Sequence, residues 1–172
     1  MPRNVEIKAR ARDFEKQSRL AEALAKGAVE RMVKEDTFFN VPAGRLKLRS
    51  FENGSGELIH YERENSRGPK ESRYVTFPTN DPVMLKNALS NALGVRAVIR
   101  KRRTVYFCGQ TRIHFDRVDG LGEFIEFEVV LKPGEESAHG IVTAKALMSK
   151  LGIEKDDLIA EAYVDLLSAT AH

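Results

Sequence analysis

Stretch after stretch of this chain alternates charged side chains with bulky apolar ones at the two-residue period of a β-strand. Val5, Ile7 and Ala9 alternate with Glu6, Lys8 and Arg10, and Leu46 and Leu48 with Arg45, Lys47 and Arg49. Ile113 and Phe115 oppose Arg112, His114 and Asp116, while Ile125, Phe127 and Val129 oppose Glu126 and Glu128. Lys101 and Arg103 share a face with Ile99, and Arg63 with Ile59 and Tyr61. Two folds accommodate this. In an open sheet the apolar face packs on helices and the charged face meets water, which is the commoner fate of charge runs. In a closed barrel the apolar face points outward to the helices and the charges line the inside. The basic residues come in pairs at i, i+2, and the acids include the tight pair Glu126 and Glu128. Solvated faces tend to mix the signs, so this clustering favours the barrel.

Turn and cap signals divide the chain further. Strands are expected at Val5 to Arg10, Val29 to Val41, Arg45 to Phe51, Glu57 to Glu64, Glu71 to Phe77, Val95 to Phe107, Thr111 to Val118 and Phe124 to Leu131. A helix from Phe14 to Lys26 stops at Gly27. A second, from Asp81 to Leu93, has Asp81 as N-cap, Pro82 in its first turn and Gly94 beyond its end. A third, Glu135 to Leu151, stops at Gly152, and a last short helix is expected at Asp157 to Leu167. Short connections make most strand neighbours antiparallel. The expectation is an α+β fold: an eight-stranded antiparallel barrel, roomy enough for side chains or one small ligand, with helices outside.

The 172 residues suit a single domain over 1–172 with no disulfide support. A net charge of +3 is too small to argue for nucleic acid. The charged start lacks the apolar core of a secretory signal, and no apolar run is long enough to span a membrane as a helix. Cys108 is the sole cysteine. A reducing, cytoplasmic setting with no membrane partner is the expectation.

On the inner face of the barrel, Lys8, Arg10, Lys47, Arg49, Arg63, Lys101, Arg103 and Arg112 face Glu6, Asp116, Glu126 and Glu128, a net +4. A triphosphate carries roughly −4. Burying such a set without a ligand is costly, so a water-filled cavity and an anionic ligand are expected together.

These residues, in this order, resemble the CYTH or triphosphate tunnel metalloenzyme superfamily, which includes class IV adenylyl cyclases and thiamine and inorganic triphosphatases. Asn4-Val-Glu6-Ile-Lys8 stands where the family has Glu-x-Glu-x-Lys. Asp36-Thr-Phe-Phe39, Leu46-Lys-Leu-Arg49, Lys101-Arg-Arg103, Thr111 to Asp116, Gly120 to Glu128 and Ala162 to Leu167 resemble the later motifs. The resemblance implies a barrel-shaped tunnel in which Lys8, Lys47, Arg49, Arg63, Lys101, Arg103 and Arg112 contact phosphates. It places Glu6, Glu126 and Glu128 on Mg²⁺ or Mn²⁺, which take oxygen ligands. Arg10 joins the substrate contacts by its place beside Lys8. Lys8, Glu126 and Asp116 fall at catalytic positions, Asp116 as a metal ligand or base. Two departures stand out: Asn4 replaces the first glutamate with a neutral amide, and Lys47 stands where arginine is common and lacks its bidentate fork.

The resemblance implies a metal-dependent phosphohydrolase of an organic or inorganic triphosphate. The alternatives are a class IV adenylyl cyclase, which needs an adenine pocket, and a non-catalytic polyphosphate-binding module. The expected partner is a small triphosphate or nucleotide; a homodimer is left open. His114 lies beside the site by parity, although a lone histidine is more often a hydrogen-bonded structural residue. Phe38, Phe39, Phe124 and Phe127 are expected in the core. Tyr61 and Tyr74 suit either a nucleotide base or plain packing.

Overall fold

The computed structural model describes residues 2–170. Its eight strands are β1 (Arg3–Arg10), β2 (Val29–Phe39), β3 (Arg45–Phe51), β4 (Gly56–Arg63), β5 (Lys70–Thr79), β6 (Val95–Cys108), β7 (Thr111–Val118) and β8 (Gly122–Val130). The helices are α1 (Phe14–Ala25), α2 (Pro82–Leu93), α3 (Ser137–Lys150) and α4 (Tyr163–Thr170). The strands close in the order β1-β5-β4-β3-β2-β6-β7-β8, and β8 returns to β1. Every pairing is antiparallel.

Strand β1 decides between the open sheet and the barrel. Val5, Ile7 and Ala9 are 0–1% exposed, yet the opposite face is buried too: Glu6 is 7% and Lys8 4% exposed. Water does not cover the charged face; the rest of the barrel does. Val5, Ile7 and Ala9 instead join Ile113, Phe115, Ile125, Phe127 and Val129 in an apolar layer under α1 and α3. Phe115 anchors it through edge contacts with Phe14 and Tyr106, at 5.4 and 5.6 Å between ring centroids.

The caps of α1 and α2 follow their local chemistry. The Asp13 side chain accepts from the Lys16 amide and the Asp81 side chain from the Met84 amide. Lys26 is the left-handed C-cap of α1 (φ 52°), so the helix ends one residue before the predicted limit. Strand β2 ends at Phe39 rather than Val41, ahead of the Pro42 turn.

The C-terminal segment differs from its prediction. The continuous helix expected over 157–167 is a 3₁₀ turn (Lys155–Asp157), an extended stretch, and α4 from Tyr163. Leu158 bridges to Ala9, and the Ile159 amide donates to the Lys8 carbonyl at 2.8 Å. Those bonds to the end of β1 hold the backbone extended. Ile159, Ala162, Tyr163 and Val164 then pack on Phe38, Ile99, Val118 and Phe124, apolar residues on the inner faces of their strands. The segment thereby stoppers one end of the barrel. Asp165 fastens it to the rim through Arg45 (2.9 Å) and Arg96 (2.6 Å). No helix among the described residues is long and apolar enough to cross a membrane.

Candidate active site

A cavity of about 310 Å³ runs inside the barrel. Its lining includes Glu6, Lys8, Lys47, Arg49, Arg63, Lys101, Arg103, Arg112, Glu126 and Glu128, so ten of the side chains singled out from sequence converge on one space. Asn4, Tyr61 and Tyr74 line it as well. Two singled-out residues lie elsewhere. Arg10 has the parity of Lys8 but sits exposed at the end of β1, its guanidinium 5.3 Å from the Phe124 ring centroid. Asp116 is 0% exposed and lies behind Arg103.

Two buried carboxylates organise the basic lining. Arg49 donates to both oxygens of Asp36, at 2.8 and 2.9 Å. Arg103 donates to both oxygens of Asp116, each at 2.7 Å. In each pair the two residues face each other across neighbouring strands, Asp36 opposite Arg49 and Arg103 opposite Asp116. The ladder thus holds each guanidinium in place before any ligand arrives. Asp36 also attracts Lys101 and Lys47, at 3.4 and 3.6 Å. Tyr163 ties the stopper to this system: its hydroxyl donates to Asp116 at 2.8 Å, and its ring lies 4.0 Å from Lys8 Nζ.

Electrostatics push the groups apart in pKa. Burial raises both aspartates, but the arginine and lysine charges around them override it and hold both well below the usual range. Burial lowers Lys8 to about 7, aided by Arg63 and Lys101 and only partly opposed by Glu126 and Glu6. Burial and the Arg49 charge bring Lys47 to about 7. Burial, then Glu128 and Glu126, raise Glu6 to about 7 although Arg63 Nη1 lies 3.3 Å from its carboxylate. Glu126 falls to about 2 because Lys8 and Arg103 outweigh its burial. Glu128 is also lowered against its burial, by protonated His114 and by Arg112. His114 is itself held well below its usual pKa, by burial and by Arg103, and so is uncharged at neutral pH. The Arg112 contact at 2.7 Å is therefore the one that holds Glu128 ionised there.

The carboxylate end fits a divalent cation. Glu6, Glu126 and Glu128 lie together there, and burial followed by the two neighbouring carboxylate charges keeps Glu6 protonated to about neutral pH. Beside them, Asn4 Oδ1 and His114 Nδ1 are buried atoms that lack any hydrogen-bond partner, as are the donor nitrogens Arg63 Nε and Arg112 Nε. One ligand atom each from His114, Glu126 and Glu128 lie within 4.8 Å of one another. His114 Nδ1 thus lacks the protein hydrogen bond that a structural histidine would make.

Comparison with known proteins gives the chain a family. The CYTH domain model matches residues 2–163. The chain belongs to the CYTH family. Among solved structures, a Pyrococcus horikoshii OT3 protein superposes with a TM-score of 0.83 at 23% identity, covering 95% of this chain and 98% of its own. A conserved hypothetical protein from Pyrococcus furiosus gives 0.79 at 24%, covering 95% and 99%. A Hippeastrum protein described as having a dominant triphosphatase activity gives 0.64 at 14%, covering 94% and 91%. No curated protein matches the sequence.

Some members of this CYTH site are not evident from the sequence. Asp36 stands out there only as part of a motif, with no role attached, and its parity with Phe38 is the available signal. Lys70, opposite Glu6 in the β1–β5 ladder but outside the cavity lining, donates to the carbonyls of Ser66 (2.6 Å) and Ala160 (3.0 Å) and is 4% exposed. Tyr163 reaches the interior only because the C-terminal segment enters the barrel. The lining charge also needs correcting. Seven basic side chains face Glu6, Asp36, Glu57, Glu126 and Glu128, a formal +2 rather than +4, because Arg10 and Asp116 lie outside the lining and Asp36 and Glu57 inside it.

Proposed function

We propose that this CYTH domain binds a divalent cation with a triphosphate in its tunnel and hydrolyses the terminal phosphate. The carrying observation is charge: the lining is +2, a divalent cation makes it +4, and a triphosphate carries roughly −4. Neither partner alone balances the cavity. Glu126 and Glu128 hold the cation, with Glu6 beside them; Arg49, Arg103, Lys101, Lys47, Arg63 and Arg112 hold the phosphates. A bound cation supplies neutralisation of the phosphate oxygens.

The protein's own part is positioning and electrostatics. Arg49 and Arg103, fixed by Asp36 and Asp116, present their remaining N–H groups without first reorganising. In this reading Asp116 is a positioning residue. Both its oxygens accept hydrogen bonds and its pKa is far too low for a base. Lys8, with a pKa of about 7, supplies charge or a proton to the bridging oxygen as its bond to phosphorus breaks. Water forms the new P–O bond, the departing diphosphate keeps the electron pair of the old one, and the proton lost by water goes to the product phosphate. The Hippeastrum protein is a precedent for triphosphatase activity on this fold.

The test is phosphorus NMR of the pure protein with Mn²⁺ or Mg²⁺ and either tripolyphosphate or ATP. Orthophosphate is expected, abolished by EDTA and reduced about 100-fold or more in Glu126→Gln and Glu128→Gln. Cyclic AMP with pyrophosphate would instead identify a cyclase, and tight binding without turnover a binding module.

A further inference from the structure

The buried nitrogen of His114 gives the metal end of the tunnel a donor that hard-cation sites do not need. His114 is 4% exposed and its Nδ1 has no hydrogen-bond partner. The nearest acceptor of opposite charge, Glu128 Oε1, is 3.9 Å away, too far for a hydrogen bond. Buried polar atoms are nearly always satisfied, because leaving one bare costs about 1–3 kcal/mol. The surroundings keep this atom available. Arg112 takes the other oxygen of Glu128 at 2.7 Å, which leaves Oε1 turned to the ring. The backbone under the group is rigid, since His114 stands directly opposite Glu126 and Arg112 opposite Glu128 in the β7–β8 ladder.

We propose that His114 Nδ1, Glu126 and Glu128 form a mixed nitrogen–oxygen site that selects a borderline transition-metal ion, of the Co²⁺ or Zn²⁺ kind, over Mg²⁺. One ring nitrogen of His114 and one oxygen from each glutamate lie within 4.8 Å of one another, with Nδ1 3.9 Å from Glu128 Oε1. Nitrogen and oxygen donors sit about 2.0–2.2 Å from such an ion, hence about 3.4 Å apart in a tetrahedral site, so side-chain rotation that draws the widest pair in by about 1 Å completes the site. One neutral imidazole and two carboxylates cancel the charge of a divalent ion. Mg²⁺ gains little here: it prefers oxygen ligands, keeps its waters and demands octahedral geometry, whereas imidazole suits the later first-row ions. Asn4 contributes to the same bias. On β1 beside β8, it offers a neutral amide oxygen, also unpartnered, to the cavity.

This inference rests on the metal-dependent reading above, but its test needs no substrate. Metal-stripped protein is titrated with Co²⁺, followed by visible absorption and calorimetry, and separately with Mg²⁺. The wild type should bind Co²⁺ at least about tenfold more tightly than Mg²⁺, and His114→Gln should lose about tenfold or more of the Co²⁺ affinity while Mg²⁺ binding stays within about twofold. Equal Co²⁺ affinity in a folded His114→Gln protein overturns the site. Anomalous diffraction from Co²⁺-loaded wild-type crystals needs no variant: a cobalt bonded to Nδ1 is expected, and one held by Glu6, Glu126 and Glu128 away from the ring overturns it. Absent phosphate release alongside intact cobalt binding removes the hydrolase reading and leaves this one standing.

Discussion

Lys47 shows how one side chain can couple the tunnel to pH. Its ammonium lies 3.6 Å from Asp36 and 5.1 Å from the Tyr61 ring, but burial and Arg49 bring its pKa down to about 7. Above that pH the free protein holds it neutral, whereas a bound polyphosphate favours the charged form. Binding therefore takes up a proton above pH 7. Affinity is full below the free-state pKa and falls as pH rises from there toward the higher pKa of the bound state. Arginine stays charged throughout. Lys47→Arg is expected to leave tripolyphosphate affinity at pH 6 nearly unchanged and to raise it about tenfold or more at pH 8.5. Lys8 sustains the remaining slope. Calorimetry in two buffers of different ionisation enthalpy reads both the affinity and the proton uptake; an unchanged pH slope in the variant would place Lys47 away from the ligand.

At the scale of elements, the contact between α3 and β1 is the tightest junction outside the barrel. Gly140 is buried in α3, and a Cβ there would lie 2.6 Å from Val5 Cγ2 and 3.0 Å from Leu131 Cδ2. Helix propensity favours replacing this glycine by up to about 1 kcal/mol. Overpacking against β1, held on both edges by β5 and β8, works against it by about 1–3 kcal/mol. For Gly140→Val, whose branches add to the clash, we expect a net loss of about 2 kcal/mol in urea unfolding. Lys145→Ala, on the exposed side of the same helix, should stay within about 0.5 kcal/mol of wild type. Equal stabilities for the two variants would show that α3 can move away from β1 at little cost. Tripolyphosphate affinity should survive in the folded Gly140→Val protein, because Val5 faces the helix and Glu6 and Lys8 face the tunnel.

For the molecule as a whole, the barrel is a closed container whose buried cations outnumber its anions. A ligand that completes the balance binds the folded state and not the unfolded chain, so it raises stability by mass action. At about 100 times its dissociation constant, tripolyphosphate with a divalent cation should contribute about 2.7 kcal/mol. For a domain of this size that corresponds to about 5–10 °C in Tm. Orthophosphate at matched ionic strength should produce a much smaller shift, since its lower charge and shorter span leave most of the seven basic side chains of the lining without a partner. Equal shifts from the two anions in a thermal melt would mean general anion binding and would remove the argument for a polyphosphate clamp.

Much of this is legible in the sequence because it is local. The two-residue period of a strand assigns faces without knowledge of the fold, so Glu6, Lys8, Arg49, Lys101, Arg103, Glu126 and Glu128 fall into one group by parity alone. The cap at Asp81 and the turn at Pro42 are likewise written into neighbouring residues. Periodicity does not say whether the shared face is open or enclosed, because an exposed charged face and a buried one have the same alternation. Closure of β8 onto β1 settles it. Tertiary structure also decides the roles that depend on distant partners: Asp36 and Asp116 anchoring arginines, Arg10 left outside, and His114 deprived of a hydrogen bond. It decides the C-terminal segment too, whose apolar spacing reads as a helix until hydrogen bonding to the end of β1 holds it extended. Side-chain parity is a property of adjacent residues, whereas enclosure, pairing and desolvation belong to contacts between residues far apart in the chain.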